Sequence, residues 1–147
     1  MAHTYFCNLV HVVFSTKQRR PKIPSEMRPR LWSYFGGIAK KNGFKLLAAG
    51  GLDDHAHLLL SLPPILPISK AVQLIKGGSS KWLNEQGLDF AWQEAYAAFT
   101  VSASQVQKTT AYINSQEEHH RKRDFAQELR ALLRAHGVEF DEKYLLG

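Results

Sequence analysis

The sequence contains very little cysteine: Cys7 is the single one among 147 residues. One cysteine excludes an intrachain disulfide and a cysteine-based zinc site, and it is typical of a reducing compartment. Long apolar runs are also missing, because the run from Leu58 to Leu66 is interrupted by two prolines and falls short of the ~20 residues that span a membrane. No basic leader precedes the apolar start of the chain, so a signal peptide is not expected. We therefore expect a cytoplasmic protein without membrane contact.

Charged residues are absent from residues 1–16 and concentrated directly after them. The whole chain has a net charge of +6, and residues 17–30 carry six basic side chains against Glu26, which gives 6 − 1 = +5. Such a cluster is either a phosphate-binding surface or a solvated loop, and charge alone does not separate the two. The overall composition, with 44% hydrophobic and 22% charged residues, is typical of one globular domain.

Hydrophobic periodicity predicts the element order βαββαβ followed by two helices. The predicted strands cover residues 4–16, 44–50, 55–62 and 94–101, and the predicted helices cover 26–41, 68–85, 102–121 and 124–136. Ser102 and Gln105 match a capping box that would open the third helix. Two helices on one face of a four-stranded antiparallel sheet form the ferredoxin-like arrangement, an α+β fold. The other face of the sheet would then stay free for a site.

Two histidines, His55 and His57, lie in an otherwise apolar predicted strand. Because side chains alternate across a strand, both imidazoles project from one face, and Ala56 and Leu58 project from the other. The apolar face must pack on the helices, so the imidazoles point to the free face, close enough together to hold one ion. Many such pairs are merely structural, and the spacing by itself leaves both interpretations open.

The third predicted helix carries Tyr112 and Gln116, which are four residues apart and therefore lie on one helical face. An apolar seam through Ile113 fills the core side of this helix, so Tyr112 is not needed for packing and is available for chemistry. A tyrosine that only packs at the edge of the seam would give the same sequence pattern. His119 and His120 follow one turn later. They either contact phosphate or end the helix favourably near its negative pole.

Four segments, taken in order, make the chain resemble the insertion-sequence 200-like transposases, which are single-tyrosine HUH enzymes. The segments are FSTKQRRP at 14–21, DHAHLL at 54–59, KGGSSKWL at 76–83 and YINSQ at 112–116. The resemblance implies that His55 and His57 bind a divalent metal, Mg or Mn, with Gln116 as the third ligand and Tyr112 as the nucleophile. It also implies a homodimer, and in some members of the family the tyrosine helix completes the active site of the partner subunit.

The activity implied by the resemblance is cleavage and rejoining of single-stranded DNA at the hairpin ends of a mobile element, through a 5′-phosphotyrosine. Residues 1–121 would form the transposase domain, and residues 122–147 a C-terminal helix and tail of the same domain with no implied catalytic role. The basic residues expected to contact DNA phosphates, with a strongly salt-dependent affinity, are Lys17, Arg19, Arg20, Lys70, Lys76 and Lys81. Trp82 and Trp92 are expected in the core rather than stacked on bases.

Three other functions are compatible with parts of this pattern. A histidine-triad nucleotide hydrolase would need a third alternating histidine where the chain has Leu59. A barrel-type metal hydrolase needs about 250 residues. A domesticated, catalytically silent protein that binds hairpin DNA or RNA stays open as the alternative, but the joint presence of the histidine pair, the tyrosine and the glutamine favours an active enzyme.

Overall fold

The computed structural model describes residues 4–145, so the ends of the predicted domain and tail, residues 1–3 and 146–147, lie outside it. The strands are β1 (Leu9–Ser15), β2 (Lys45–Gly51), β3 (His55–Ser61) and β4 (Ala97–Val101). The helices are α1 (Arg28–Lys41), α2 (Ile68–Glu85), α3 (Val106–Asn114), α4 (Gln116–His119) and α5 (Phe125–Ala135). The strands form one antiparallel sheet in the order β2-β3-β1-β4, which confirms the predicted ferredoxin-like α+β fold. No helix within residues 4–145 is long and apolar enough to cross a membrane.

The larger hydrophobic core lies between the sheet and helices α1 and α2. Alternate side chains of β1 and β3 point into it, among them Phe14 and Leu58, where they meet Phe35 of α1 and Ile75 of α2. Burying each of these side chains contributes roughly 1.5–3 kcal/mol, so this layer supplies much of the stability. The apolar face of β3 therefore packs on the helices, as the alternation predicts.

The opposite face of the sheet is covered, and the expectation of a free face is wrong. On this face Phe125 and Leu129 of α5 pack against Phe99 of β4, and Ile113 of α3 packs against Leu59 of β3. Both helices are amphipathic and must bury an apolar stripe, and this face of the sheet is where they bury it. His55 and His57 are consequently fully buried beneath α3 and α5.

The predicted helix over 102–121 is divided in two and does not begin with the predicted cap. Ser102 makes no capping bond, because its hydroxyl pairs with that of Ser104 at 2.9 Å. Ser115 leaves the helical conformation between α3 and α4, at φ −111° and ψ 31°, and its hydroxyl donates to the Ala111 carbonyl at 2.8 Å. A serine that bonds back to the preceding turn commonly bends a helix. The bend directs the start of α4 toward the sheet.

Helix α3 approaches strand β2 so closely that only glycine fits at position 50. A Cβ on Gly50 would lie 2.2 Å from the backbone oxygen of Ile113. Gly50 is also the register partner of His57 across the β2–β3 ladder. The absence of a side chain at Gly50 therefore lets α3 sit beside His57, with Tyr112 next to the point of contact.

We expect Gly50→Ala to destabilise the fold by about 1–3 kcal/mol, because the methyl group would meet backbone that cannot move without lifting α3. The matched control is Gly37→Ala in α1, where an added Cβ meets no atom within 4 Å among the described residues. This control should be neutral or stabilising by up to ~1 kcal/mol, the helix propensity difference. Urea unfolding of both variants tests the prediction, and equal stabilities would contradict it.

Candidate active site

The buried carboxylate of Glu128, on α5, is the centre of a cluster of histidines. Its Oε1 atom lies 2.9 Å from Nε2 of His57, 3.1 Å from Nε2 of His120 and 3.7 Å from Nε2 of His55. Glu128, His55 and His57 are all fully buried. An isolated carboxylate would be costly here, so the surrounding imidazoles are what make its burial tolerable.

Tyr112 and Gln116 complete this cluster from α3 and α4. The Tyr112 hydroxyl donates a short hydrogen bond to Oε2 of Glu128. Oε1 of Gln116 lies 2.9 Å from Nε2 of His55. The structure thus brings together all four residues that the sequence singled out for catalysis and metal binding, and it adds Glu128 between them.

The remaining ring nitrogens of the two strand histidines have partners of their own. Nδ1 of His55 donates to Oδ1 of Asp54 at 2.7 Å. Nδ1 of His57 lies 2.8 Å from Nε2 of His11, on the neighbouring strand β1. Contacts of this type fix the ring orientation and the tautomer of metal-binding histidines. Both Nε2 atoms are thereby aimed at Glu128.

Burial and charge set the protonation of the cluster. Burial lowers the pKa of His11 to about 3, and it also lowers the pKa of His57 despite the hydrogen bond to Glu128. Burial alone would raise the pKa of Glu128, but the contacts with His120, His57 and Tyr112 hold it below its usual range. Burial, together with the Glu128 carboxylate, raises the pKa of the Tyr112 phenol. The cluster therefore combines an ionised carboxylate, a protonated phenol and, at His11 and His57, neutral imidazoles.

The donor atoms of this cluster fit a divalent cation. Two imidazole nitrogens and one carboxylate oxygen, from His55, His57 and Glu128, lie within 4.8 Å of one another. In an octahedral site with bonds of about 2.1 Å, neighbouring ligand atoms are about 3.0 Å apart and opposite ones about 4.2 Å apart. Oε1 of Glu128 lies 2.9 Å from Nε2 of His57 and 3.7 Å from Nε2 of His55. Nε2 of His120 is buried 3.1 Å from Oε1 of Glu128, in a geometry that makes no hydrogen bond among residues 4–145. A cation bound beside Glu128 would satisfy this atom.

His11 is the residue that we expect to position His57 for metal binding. For His57 to offer the lone pair of Nε2, its Nδ1 must carry the proton and donate to Nε2 of His11. We predict that His11→Phe, which keeps an aromatic ring but cannot accept this bond, weakens Mn²⁺ binding by about 10-fold or more. Isothermal titration calorimetry measures the affinity, and circular dichroism checks that the fold is kept. An unchanged affinity would show that His57 needs no such partner.

The predicted DNA-binding residues fall into two groups that lie in different places. Arg19 is close to the cluster, because its guanidinium lies 3.9 Å from Asp54 and 3.4 Å from Asp124, at the start of α5. Lys17 and Arg20 lie in the same loop and line a cavity of about 300 Å³. The lysines of α2 belong to the helical layer on the other side of the sheet.

Within the α2 group, Lys76 is already engaged. Its ammonium group donates to the carbonyls of Glu94 and Ala95, both at 3.1 Å, while Lys70 and Lys81 are exposed. The loop after β1 is therefore the predicted basic segment that the structure brings to the cluster. The lysines of α2 are not brought to it.

Trp82 and Trp92 both contribute to packing, as expected. Trp92 is buried in the larger core, and its indole nitrogen donates to the Ser79 hydroxyl at 2.9 Å. Trp82 is partly buried against the same core and stacks on Tyr34, with ring centroids 4.8 Å apart.

A comparison of the sequence with known families identifies its relatives. The profile of the family described as "Transposase IS200 like" matches residues 4–116. The chain belongs to the IS200-like transposases. It is 30% identical over 132 residues to the transposase for insertion sequence element IS200 of Salmonella typhimurium, covering 84% of both chains. It is 29% identical over 117 residues to the ISDra2 transposase TnpA of Deinococcus radiodurans, covering 74% of this chain and 83% of that one.

Solved structures share the fold of this IS200-like transposase. A putative transposase from Deinococcus radiodurans superposes with a TM-score of 0.63 at 24% identity, covering 78% of this chain and 96% of that chain. A REP associated tyrosine transposase bound to a REP hairpin superposes with a TM-score of 0.57 at 17% identity, covering 77% and 68%. At these identities the two structures support the fold alone.

Sequence reasoning missed Glu128 and His11. The family match ends at residue 116, before α5 begins, and the resemblance implies no role beyond residue 121. A signal for Glu128 was present, because it follows Phe125 by three residues and precedes Leu132 by four, so it lies in the apolar stripe of α5. His11 likewise interrupts the apolar strand β1. A charged or polar residue inside an apolar stripe is therefore the sequence pattern that would have identified both Glu128 and His11.

Proposed function

We propose that this IS200-like transposase cleaves and rejoins single-stranded DNA through Tyr112, beside a divalent cation bound by His55, His57 and Glu128. One observation carries the proposal. A single buried carboxylate accepts the Tyr112 hydroxyl on Oε2 and contacts Nε2 of His57 on Oε1. A phenol and the imidazole pair, which lie 55 residues apart in the chain (112 − 57), thus belong to one hydrogen-bonded cluster.

The proposed cation is Mg²⁺ or Mn²⁺, because the substrate is a phosphodiester. Hard cations of this kind keep open positions for phosphate oxygens. When bound, such an ion neutralises charge on the phosphate and offsets the negative charge of Glu128 beside the phenol. Gln116, which the family resemblance implies as the third ligand, and His120 are both close enough to add to the set.

Tyr112 then acts by nucleophilic substitution at phosphorus. Its oxygen forms a bond to the phosphate, the bond from phosphorus to the 3′ oxygen breaks, and a 5′-phosphotyrosine and a free 3′ hydroxyl remain. The proton lost by the phenol is balanced by the proton gained by the 3′ oxygen. Attack by a 3′ hydroxyl on the phosphotyrosine reverses these changes and reseals the strand without ATP. A phenolate, with an ordinary pKa of about 10, is a suitable leaving group for this return step.

The substrate that we propose is single-stranded DNA with hairpins at the ends of a mobile element. The basic loop after β1, which is close to the cluster through Arg19, would contact its phosphates. We further propose that residues 1–121 and 122–147 act as one domain, since Glu128 comes from the second segment. The working form would be a homodimer able to exchange the tyrosine helix, and a DNA substrate implies action in the cytoplasm.

The test is whether the protein becomes covalently attached to DNA. The protein is incubated with Mn²⁺ and a 3′-labelled single-stranded oligonucleotide that carries a hairpin and genomic flanking sequence. We expect a labelled band of protein plus DNA on a denaturing gel. We expect no such band when EDTA replaces Mn²⁺ during the incubation. Binding of the hairpin without any adduct would instead support the alternative, a domesticated and catalytically silent nucleic-acid-binding protein.

A further inference from the structure

The loop that follows β1 borders a cavity of about 300 Å³ in which positive charge exceeds negative charge. We call it the basic-loop cavity. The charged residues that line it are Lys17, Arg20, Lys22 and Asp89. Tyr112 and the histidine cluster are not among the lining residues, so the cavity is a separate place on the molecule.

The positive side chains of this cavity are not neutralised by their neighbours. Among residues 4–145, the side chains of Lys17, Arg20 and Lys22 make no ion pair. Lys22 is in addition half-buried. A charge that is held partly out of water without an opposite charge is unfavourable, so this group of side chains favours an anionic ligand.

The backbone of the same loop adopts a conformation that residues with a side chain rarely take. Gln18 and Arg19 are both left-handed, at φ 59° and φ 54°. Such residues cost conformational energy and persist where the surrounding structure holds them. Here the backbone N–H groups of Thr16 and Ile23 donate to carbonyls in the turn between β2 and β3, at 2.8 Å and 3.0 Å. Both ends of the loop are therefore fixed to the sheet.

The left-handed pair separates the positive side chains of the loop into two groups. The guanidinium of Arg19 lies near Asp54 and Asp124, beside the histidine cluster, and Arg19 does not line the cavity. Lys17 and Arg20, which flank the pair in sequence, both line the cavity. The loop therefore presents positive charge at two separate positions.

The lining of the cavity fits a phosphate group better than a base. Phe90 is the aromatic residue of the lining, and it is buried with its ring edge-on to Trp92 at a centroid distance of 4.6 Å. It therefore presents no open face on which a base could stack. Lysine and arginine, in contrast, are the side chains that bind phosphate groups.

We propose that the basic-loop cavity binds one backbone phosphate of the DNA substrate, and that this phosphate is different from the one attacked by Tyr112. The inference rests on the proposed function for the identity of the substrate. Lys17, Arg20 and Lys22 would contact the phosphate in the cavity. Arg19 would contact another phosphate, nearer to the cluster. The left-handed pair would keep the two contacts in register, so that the strand is held at two points.

The first experiment combines single neutral phosphates in the DNA with single substitutions in the protein. A hairpin oligonucleotide with single-stranded flanks carries one methylphosphonate at each position in turn, and fluorescence anisotropy measures its binding to the Tyr112→Phe protein. Where a side chain contacts a phosphate, neutralising both partners weakens binding little more than neutralising one. We expect Lys17→Gln, Arg20→Gln and Lys22→Gln each to weaken binding about fivefold, and all three to couple to the same phosphate. Arg19→Gln should couple to a different phosphate.

The matched control for this experiment is Lys143→Gln. It removes an exposed lysine in the 3-10 turn after α5 and should couple to no phosphate. Circular dichroism checks that each variant keeps the fold. The cavity proposal is overturned if Lys17, Arg20 and Lys22 couple to different phosphates or to none, or if Arg19 couples to the same phosphate as they do.

The second experiment tests the left-handed pair. Gln18→Gly relieves strain, so the midpoint of urea unfolding should be equal to or higher than that of the wild type. The freer loop should nevertheless bind the hairpin oligonucleotide about fivefold more weakly, since its side chains are no longer held in place. Gln18→Asn keeps a side-chain amide and tolerates the left-handed region, so its affinity should stay close to that of the wild type. An unchanged affinity in Gln18→Gly overturns the role given to the pair.

A small phosphate compound has the same chemistry as a backbone phosphate and is tested separately. Inorganic pyrophosphate is titrated into the wild type and into Lys22→Gln by calorimetry, without DNA. Pyrophosphate binding that depends on Lys22, together with no coupled phosphate in the DNA, would show that the cavity holds a small phosphate ligand and would overturn the DNA proposal.

The cavity proposal and the proposed function fail in distinguishable ways. Hairpin binding with a coupled phosphate, but without any covalent adduct in the wild type, would overturn cleavage by Tyr112 and leave the cavity proposal standing. Covalent adducts from a protein in which no phosphate couples to Lys22 would overturn the cavity proposal and leave the proposed function standing.

Discussion

Tyr112→Phe is expected to reduce covalent adduct formation at least ~10³-fold while leaving the affinity for hairpin DNA within about twofold of the wild type. Phenylalanine lacks the oxygen that would form the bond to phosphorus, and no neighbouring group in the cluster can take its place. The ring itself is kept, so its edge contact with His57, at a centroid distance of 5.7 Å, should persist. Denaturing gels measure the adduct, and fluorescence anisotropy measures binding.

The control for this prediction is Tyr144→Phe. Tyr144 is 65% exposed and belongs to the short 3-10 turn after α5, so loss of its hydroxyl should change neither measurement. Persistent adducts in Tyr112→Phe would mean that another residue is the nucleophile. Loss of both adduct and binding in that variant would mean that Tyr112 has a structural role instead.

Glu128→Gln is expected to lower Mn²⁺ affinity at least ~10-fold and adduct formation by about 10²-fold or more. Glutamine has nearly the same shape and can still accept the Tyr112 hydrogen bond, so the packing of α5 should be retained. What it lacks is the negative charge that would neutralise a cation beside two imidazoles. Calorimetry with Mn²⁺ and the adduct assay measure the two effects.

Two further variants sharpen the interpretation of Glu128→Gln. Glu139→Gln removes an exposed carboxylate beyond α5 and should behave as the wild type. Gln116→Ala tests the ligand implied by the family resemblance. If Gln116→Ala abolishes metal binding while Glu128→Gln leaves it intact, then Gln116 is the third ligand and Glu128 only holds Tyr112.

Much of the fold could be predicted, because it follows from patterns local to each element. Helix α2 has the predicted bounds of 68–85, since its apolar stripe runs without interruption. The alternation in β3 placed Leu58 against the helices and both histidines on the opposite face, as observed. Periodicity of this kind needs no knowledge of what lies across the sheet.

The site could be predicted only where a known motif covered it. His55, His57, Tyr112 and Gln116 lie in the segments that resemble the family, and the structure brings all four together. The covering of the histidine face was not predicted, because it depends on how the chain folds back after β4. Glu128 enters the cluster through that fold-back, 71 residues beyond His57. Contacts between residues so far apart in the chain are set by tertiary packing, which a local sequence pattern does not encode.

The errors in the third helix have a similar cause. Ser102 and Gln105 have the spacing of a capping box, but the structure uses Asp124 and Gln127 for one at the start of α5 instead. The break at Ser115 was not predicted either. It orients Gln116 toward His55, a tertiary contact that overrides a sequence able to continue as helix.

The most direct test of the account is to locate the attached nucleotide in the covalent adduct. Nuclease treatment followed by trypsin should leave the nucleotide on the peptide covering residues 109–121, in which Tyr112 is the single tyrosine. We expect fragment ions to assign a 5′-nucleotide phosphate to Tyr112 in preparations made with Mn²⁺, and we expect none in preparations made with EDTA. A nucleotide found on any other residue, or formed equally in EDTA, would contradict the account.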